Sequence, residues 1–483
     1  MTKTAKIAWL YVIAALFVAI SLFWVVKKDN YLFFALPLVL GILLLYIFSL
    51  DKVMLLTAFL VPLSITFDNL DNLAVSLPAE PLLLGILVLF FAKLLYDGHY
   101  DKRITRHPVT ITIFCMFIWM IVTTVTSEMP VVSLKFIVSR LWFVVPSFFF
   151  CILLFKRHKD IDRFIWLYII GLIIVIAYTL FNHAKNGFDG DSAHWVMTPF
   201  YNDHTAYGAV LSIYLILALT YLCLPGIKPR RKLLISGVVV VLGVALLLSF
   251  CRAAWLSVIA AAGVLLCVIL KIKFRWIITV AIVLIGFFFA FQHQIVDALE
   301  QNTQDASGDF VENIQSITNI STDASNLERI NRWQSALRLF HERPVFGWGP
   351  GTYQFVYAPY QMSKEKTIIS TNAGDGGNAH SEYIGALSEQ GLVGSLIVIA
   401  LVITAVYSGL MTYKRAKNKK AKILVIGATL AIISYFFHGI LNNFLDTDKL
   451  AVPVWSCIAL IVTIDLYYAD KEDFDTETPE IKD

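Results

Sequence analysis

The residues best suited to chemistry lie in one polar stretch, residues 327–394, of an otherwise apolar chain. This stretch contains Arg329 and Arg332 and, further along, His380. A histidine side chain can take a proton from a hydroxyl near neutral pH. Arginine side chains bind phosphate oxygens through paired hydrogen bonds and neutralise their charge. The combination predicts a base and an anion site that together serve group transfer from a phosphorylated donor.

Two more arginines lie within or between apolar runs. Arg252, in SFCRAAW, has no acidic residue within twenty positions on either side, and Arg140, in VSRLWFVV, lies inside one run. A charge so placed is costly unless it faces a polar cavity or a partner. We therefore include both in the predicted diphosphate-binding set. The alternatives are a structural interface role for Arg252 and extension of the Arg140 side chain to the membrane interface.

Other polar residues are predicted to support these groups. Three mark the point where an outer loop enters the next apolar run: Tyr201, Asp203 and His204. A hydrogen-bonded surface role is the alternative for the histidine. We expect Glu382 or Glu389 to orient His380, with a deeper, structural position as the alternative for Glu389. The remaining supporting candidates are Trp333, Asn378 and Ser381.

The sequence predicts neither a metal site nor a cofactor. Asp189 and Asp191 resemble a weak DxD motif, but turn chemistry explains Asp-Gly-Asp better. HExxH, Walker, GxSxG and paired CxxC motifs are absent from the sequence. The six cysteines are scattered through apolar runs, which is typical of small packing residues.

The elements that must position these residues are membrane helices. The chain has 483 residues, is 58% hydrophobic and has a mean hydropathy of +0.72. This composition excludes an ordinary soluble domain. Apolar runs long enough to cross a bilayer, or nearly so, lie near residues 7–26, 31–50, 53–66, 81–95, 109–126, 136–155, 163–181, 206–224, 233–250, 253–270, 276–292, 382–411, 423–442 and 451–468. The third and fourth are short and form either a re-entrant pair or two spans, so we predict an all-α polytopic membrane protein with about 12–14 transmembrane helices.

The charge pattern predicts how these helices are oriented. Basic clusters recur at residues 102–107, 156–163, 228–232, 271–275 and 414–422. The positive-inside rule places all of them in the cytoplasm, together with both termini, and counting helices gives the same side each time. The clusters therefore indicate topology and not nucleic-acid binding. The outer face receives the loops that carry the candidate site.

Four regions follow from this pattern. Residues 1–292 form an N-terminal bundle of about 11 spans, and residues 293–380 form a large outer loop. An amphipathic helix near residues 325–341 is predicted in that loop, followed by tight turns at the glycines of GWGPG. Residues 381–468 add about three spans, and residues 469–483 form an acidic cytoplasmic tail.

The sequence also resembles a known family. His380-Ser381, nine residues, and then Gly391-Leu-Val-Gly394 resemble the O-antigen ligase signature. The stretch from Arg329 through GWGPG resembles the outer loop of that superfamily, SFCRAAW its Ser-x-x-Arg segment, and YNDHTAYGA its span entrance. The resemblance covers roughly residues 200–400. Two departures are Ser381, where Asn is commoner, and Cys251, where Ser is frequent.

The resemblance implies a glycosyltransferase of the bacterial inner membrane that needs no metal. Its active site would face the periplasm and take a glycan from undecaprenyl diphosphate. It assigns the catalytic base to His380 and diphosphate binding to Arg252 and Arg329. Lipid A–core is the acceptor in a ligase, whereas a polymerase joins repeat units with the same donor. A protein O-oligosaccharyltransferase and a polysaccharide transporter are the remaining alternatives; a transporter predicts charges spread through the membrane depth.

Overall fold

The computed structural model describes residues 48–70, 73–98, 100–272, 324–363 and 377–475, with a few isolated residues outside these ranges. The predicted spans near residues 7–26 and 276–292, most of the span near 31–50, and the loop 293–323 lie outside the described residues. Ten helices in the described part are long and apolar enough to cross a membrane. The predicted all-α polytopic membrane fold is confirmed.

The first half of the described chain is a run of helices with one small hairpin. The helices are α1 (Leu50–Leu60), α2 (Ala79–Asp97), α3 (Lys102–Thr105), α4 (Pro108–Val125), α5 (Pro130–Phe155) and α6 (His158–Lys185). A 3₁₀ turn at Val61–Leu63 leads into the antiparallel strands β1 (Ile65–Leu70) and β2 (Leu73–Leu77). Within α5, residues Val145–Phe150 form a π-helical turn that contains Pro146.

The second half supplies the remaining helices. They are α7 (His204–Leu222), α8 (Pro229–Leu248), α9 (Arg252–Ile269), α10 (Ala324–Glu342), α11 (Tyr353–Val356), α12 (Glu382–Arg415), α13 (Lys419–His438) and α14 (Asp448–Tyr467). Short 3₁₀ turns occur at Ser192–His194 and Ala358–Tyr360. The most buried spans are α7, α13 and α14, which form the centre of the bundle. The other spans expose large apolar side chains, as lipid-facing helices do.

Local sequence explains where the helices begin. Prolines occupy the first position of α4, α5 and α8, where the missing N–H costs nothing. Polar side chains cap three others. Asp203 accepts a hydrogen bond from Thr205 at α7, Ser381 from Ile384 at α12, and Asn418 from the first turn of α13.

Both interpretations of the third and fourth runs need correction. Helix α2 has 19 residues, which is enough to cross a bilayer unaided. Helix α1 has only 11 residues, and the hairpin that follows it ends its apolar run. The short hydropathy peaks therefore arise from two different elements, one span and one helix too short to cross the bilayer alone.

The connections between the spans gather on two opposite faces. One, called the basic face, consists of residues 98, 100–107, 156–157, 223–228, 416–420 and 467–475. Hydrogen bonds join its members: the hydroxyl of Tyr467 donates to Asp101 at 2.6 Å and that of Tyr468 to the carbonyl of Lys156 at 2.6 Å. Lys420 also pairs with Asp475 at 2.8 Å. The basic connections thus share one side of the bundle.

The opposite face, called the site face, consists of residues 126–129, 186–203, 249–251, 343–361, 377–381 and 439–447. Its segments are also joined to one another. The amide of Glu128 donates to the carbonyl of Trp348 at 3.1 Å, and the amide of Glu382 donates to that of Gly439 at 2.9 Å. Every candidate site residue therefore lies on or near this face, although its orientation in the cell stays a prediction.

We expect cysteine labelling to test the orientation. Asp191 on the site face and Lys419 at the basic face are both exposed. In a variant whose six native cysteines are replaced, Asp191→Cys should react with a membrane-impermeant maleimide in intact spheroplasts, because the basic loops hold their own side in the cytoplasm. Lys419→Cys should react only after permeabilisation. The reverse pattern would contradict the assigned orientation.

Candidate active site

His380 lies in a short turn that leads directly into α12. Its backbone is left-handed, with φ of +48°, and its amide donates to the Asn378 side-chain oxygen at 3.1 Å. The next residue, Ser381, is buried and caps α12. A left-handed conformation is unusual for a side chain of this size, so the surrounding contacts must hold it. The imidazole therefore occupies a fixed place at the point where the chain leaves water.

Arg332 is the residue that holds this turn. Its Nε donates to Glu328 at 2.8 Å, and a terminal nitrogen donates to the Asn378 carbonyl at 3.1 Å. The guanidinium also lies over the Tyr357 ring at 5.1 Å, and the side chain is 8% exposed. The sequence assigned Arg332 to donor binding. The structure instead places it in a buried ion pair, where it braces the backbone two residues before His380.

Arg329 lies one turn earlier on α10 and acts on the imidazole through its charge. Burial, followed by the positive charges of Arg329 and Arg332, lowers the pKa of His380 to about 4. The carboxylate of Asp203 opposes this shift, so it too lies within electrostatic range. His380 is consequently neutral at physiological pH, which is the form a base requires.

Arg252 joins the same neighbourhood from the start of α9. His204, the first residue of α7, lies within electrostatic range of both Arg252 and Arg329. Cys251 lies within range of Arg329 and Asp203, and burial raises the pKa of its thiol to about 12. Arg329 thus lies within electrostatic range of both His204 and His380, and Arg252 lies within range of His204, so three segments far apart in the sequence meet in this neighbourhood.

Two histidines in this cluster escaped the sequence analysis. The ring of His194 lies 4.1 Å from that of His204, centroid to centroid. His438, at the end of α13, is buried with Nε2 3.8 Å from the sulfur of Cys251. In the described part of the chain its Nδ1 has no hydrogen-bond partner. The sequence did carry a signal, because the end of α13 falls at the same membrane depth as the other site histidines.

Arg140 does not join this cluster. A terminal nitrogen donates to the Leu445 carbonyl at 2.8 Å, and the guanidinium lies 5.0 Å from the Phe136 ring. The carboxyl groups of Glu389 and Asp446 interact with it electrostatically. Arg140 thus belongs to a second polar region.

The expected role of Glu382 also needs correction. One carboxylate oxygen accepts hydrogen bonds from the Tyr435 hydroxyl at 2.5 Å and from the amides of Phe444 and Leu445 at 2.9 and 3.0 Å. Glu382 therefore connects α12 to α13 and to the connection that follows. It does not orient the imidazole, because the side chain one residue after the cap points into the bundle.

Glu389 is likewise engaged elsewhere. Its carboxylate accepts a hydrogen bond from the Tyr353 amide at 3.1 Å, which ties α11 to α12.

Nearby, the GWGPG turns form as predicted, with positive φ at Gly347, Gly349 and Gly351. These turns pack directly against the first part of α12.

The other supporting candidates differ in position. Tyr201 is buried in the core, against Tyr207 and beneath Lys449, so it does not face the cluster's solvent side. Trp333 has a buried indole N–H without a hydrogen-bond partner among the described residues.

Asp189 accepts a hydrogen bond from the Ser192 amide at 2.5 Å, which confirms the turn interpretation of Asp-Gly-Asp. No group of three or more metal-ligating side chains comes together in the described residues.

Arg252, Arg329 and His380 all lie in one segment of the chain that is similar to a known protein family. Residues 237–399 match the family model for O-antigen ligase. The matched segment contains Arg252, Arg329 and His380 as well as both signature glycines, and it confirms the resemblance to the O-antigen ligase superfamily. It supports a membrane glycosyltransferase of O-antigen ligase or polymerase type.

One curated relative is similar over a shorter stretch. An uncharacterised protein of Haemophilus influenzae is 26% identical over 117 residues. The aligned segment covers 24% of this chain and 28% of that protein. A match of this extent supports similarity of a segment and assigns no activity.

We expect Glu382→Ala to destabilise the protein. The substitution leaves the Tyr435 hydroxyl and two backbone amides without their acceptor, at a cost of about 1–3 kcal/mol. The thermal unfolding midpoint of the purified protein should fall accordingly. Glu128→Ala is the matched control, because its ion pair with Arg343 is exposed and should contribute little. Equal midpoints for the two variants would contradict the role assigned to Glu382.

Proposed function

We propose that this protein transfers a glycan from undecaprenyl diphosphate to an acceptor hydroxyl at the outer face of the bacterial inner membrane. The observation that carries this proposal is that Arg329 lies within electrostatic range of His380 and of His204, which is also within range of Arg252. Two guanidinium groups suit a diphosphate, and a neutral imidazole suits a hydroxyl. The match to the O-antigen ligase family supports the same chemistry.

The reaction follows from these roles. Arg252 and Arg329 hold the diphosphate of the donor and stabilise the charge that develops on its leaving oxygen. His380 takes the proton of the acceptor hydroxyl as that oxygen bonds to the anomeric carbon. The bond from this carbon to the diphosphate oxygen breaks, and undecaprenyl diphosphate leaves. A single displacement of this kind inverts the anomeric configuration.

Donor binding should also activate the base. In the free protein the charges of Arg329 and Arg332 lower the pKa of His380. A bound diphosphate places negative charge beside Arg329 and offsets this effect, so the imidazole pKa rises when the donor is present. The base is then strongest in the complex in which it is needed.

The acceptor distinguishes a ligase from a polymerase. We propose ligase-type transfer, with lipid A–core as acceptor, and the polymerase alternative uses the same donor and the same groups. The length distribution of surface glycan in a deletion strain separates them. Core without attached glycan supports the ligase, whereas core carrying a single repeat unit supports the polymerase.

We expect His380→Ala to abolish transfer while donor binding survives, because the imidazole moves a proton and does not hold the diphosphate. Arg329→Gln should weaken donor binding by roughly 10- to 100-fold, the value of a charge-assisted hydrogen bond. Transfer and donor affinity are measured with purified protein and a lipid-linked donor.

Arg338→Gln is the matched control for the arginine. It lies on the same helix, but its guanidinium pairs with Glu365 at 2.5 Å and with the Tyr360 carbonyl at 2.7 Å. Donor affinity should therefore stay close to that of the native protein. Normal turnover by His380→Ala, or equal donor affinities for the two glutamine variants, would refute the assigned roles.

The pH dependence of transfer provides a separate test. Activity requires neutral His380, so it falls as pH drops through the pKa of this group. The acidic limb of kcat/KM for the donor reports the free protein, whose pKa of about 4 sets its position. The limb of kcat reports the donor complex and should lie at higher pH. Arg329→Gln removes the positive charge and should move the kcat/KM limb upward; unchanged limbs would contradict the coupling.

A further inference from the structure

A cavity of about 190 Å³ lies beside the His380 turn, and Arg252, Arg329 and Arg332 are not among its lining residues. It is enclosed by parts of α4, α5, α12, α13 and α14 and by the connection before α14. Asn378, Ala379 and Ser381 contribute to its wall, so both neighbours of His380 in the sequence line it. Whatever occupies the cavity lies next to the residue assigned as the base.

Two polar atoms of the cavity-lining residues have no hydrogen-bond partner among the described residues. They are the side-chain oxygen of Asn443 and the indole nitrogen of Trp455, whose side chain is 1% exposed. Buried polar groups are nearly always paired, and leaving one unpaired costs about 1–3 kcal/mol. One acceptor and one donor in the same wall are complementary to a ligand hydroxyl, which both donates and accepts.

The charges of the cavity select against anions. Its lining includes three carboxylates, Glu382, Glu389 and Asp446, and a single cation, Arg140. The guanidinium is already engaged with the Leu445 carbonyl. A phosphate placed here would meet three carboxyl groups and one guanidinium that is already engaged, whereas sugar hydroxyls can donate to carboxyl oxygens directly. The arginine cluster and this cavity therefore suit opposite kinds of ligand.

Size and shape narrow the ligand further. Pockets for drug-sized ligands enclose roughly 300–1,000 Å³, so this cavity suits a single sugar ring and not an oligosaccharide. Phe136, Phe436 and Trp455 supply aromatic surface within it. Such a surface matches the apolar faces of a pyranose, while the polar groups described above match its hydroxyls.

We propose that this cavity binds the terminal sugar ring of the acceptor, and that this ring is uncharged. The inference rests on the proposed function, since it names the second substrate of the same reaction. An acceptor bound here presents a hydroxyl toward the His380 turn while the donor diphosphate stays with Arg252 and Arg329, which do not line the cavity. Any phosphate groups of the acceptor then lie outside the cavity.

Binding of simple sugars tests the site directly. The neutral probes are methyl glycosides of glucose, galactose and mannose, and their affinities are measured by ligand-observed NMR with the full-length protein in nanodiscs. At least one should bind, and Trp455→Phe should weaken it about fivefold, the effect of one lost hydrogen bond. Trp166→Phe is the matched control, because its indole nitrogen is also unpaired among the described residues but lies outside the cavity. It should bind the probe with unchanged affinity.

Competition tests the preference for uncharged sugars. The 6-phosphate of the methyl glycoside that binds should displace that glycoside at least tenfold less effectively than the unphosphorylated glycoside does. The proposal is overturned if no methyl glycoside binds, if Trp455→Phe and Trp166→Phe bind equally well, or if the phosphorylated sugar competes as well as the neutral one. Any of these results would leave the proposed function intact provided that His380→Ala still abolishes transfer. Normal transfer by His380→Ala would instead refute the proposed function.

In the transfer assay, Trp455→Phe should raise KM for the acceptor about fivefold and leave donor affinity unchanged. An effect on donor affinity would place this residue with the arginines and overturn the assignment to the acceptor.

Discussion

The site depends on a break in α12 at Gly391. Its backbone angles, φ of 67° and ψ of −170°, interrupt the helix and leave preceding carbonyls without helical partners. Within an apolar environment such carbonyls must find other donors. The amides of Trp348 and Gly349 donate to the carbonyls of Ser388 and Glu389 at 3.1 and 2.8 Å, and the Trp119 indole donates to that of Gln390 at 2.9 Å. The outer segment 344–349 is thereby fixed to the bundle.

Glycine is required at the break for two reasons. A side chain at position 391 would sit in a left-handed conformation, and its Cβ would lie 2.2 Å from the Val345 carbonyl oxygen. The close approach lets the amide of Leu392 donate to the Pro344 carbonyl at 2.9 Å. Since this segment directly follows α10, the break also sets where α10 lies. Residues 344–349, which follow α10, and the His380 turn are both attached to α12. Arg329 and Arg332 of α10 therefore lie within electrostatic range of His380.

Hydropathy and charge predicted much of the fold, because membrane insertion depends on composition over long windows. The glycines and proline of GWGPG predicted the turns there, and the roles of Arg252, Arg329 and His380, which the family resemblance supplied, stay predictions. The misassignments concern single side chains at membrane boundaries. Glu382 follows the cap of α12 and turns into the bundle, whereas Arg332 pairs with a carboxylate on its own helix. Helical spacing gives the face of a residue but not the partner it finds there.

The same limit explains why four arginines do not form one site. Arg252, Arg329 and Arg140 have similar sequence surroundings, since each adjoins an apolar run or stripe. They differ in the groups that the fold brings near: Glu389 and Asp446 lie within electrostatic range of Arg140, whereas His204 lies within range of Arg252 and Arg329. The His380 turn adjoins both sets of residues, because its neighbours line the cavity that contains Arg140 and its imidazole lies within range of Arg329.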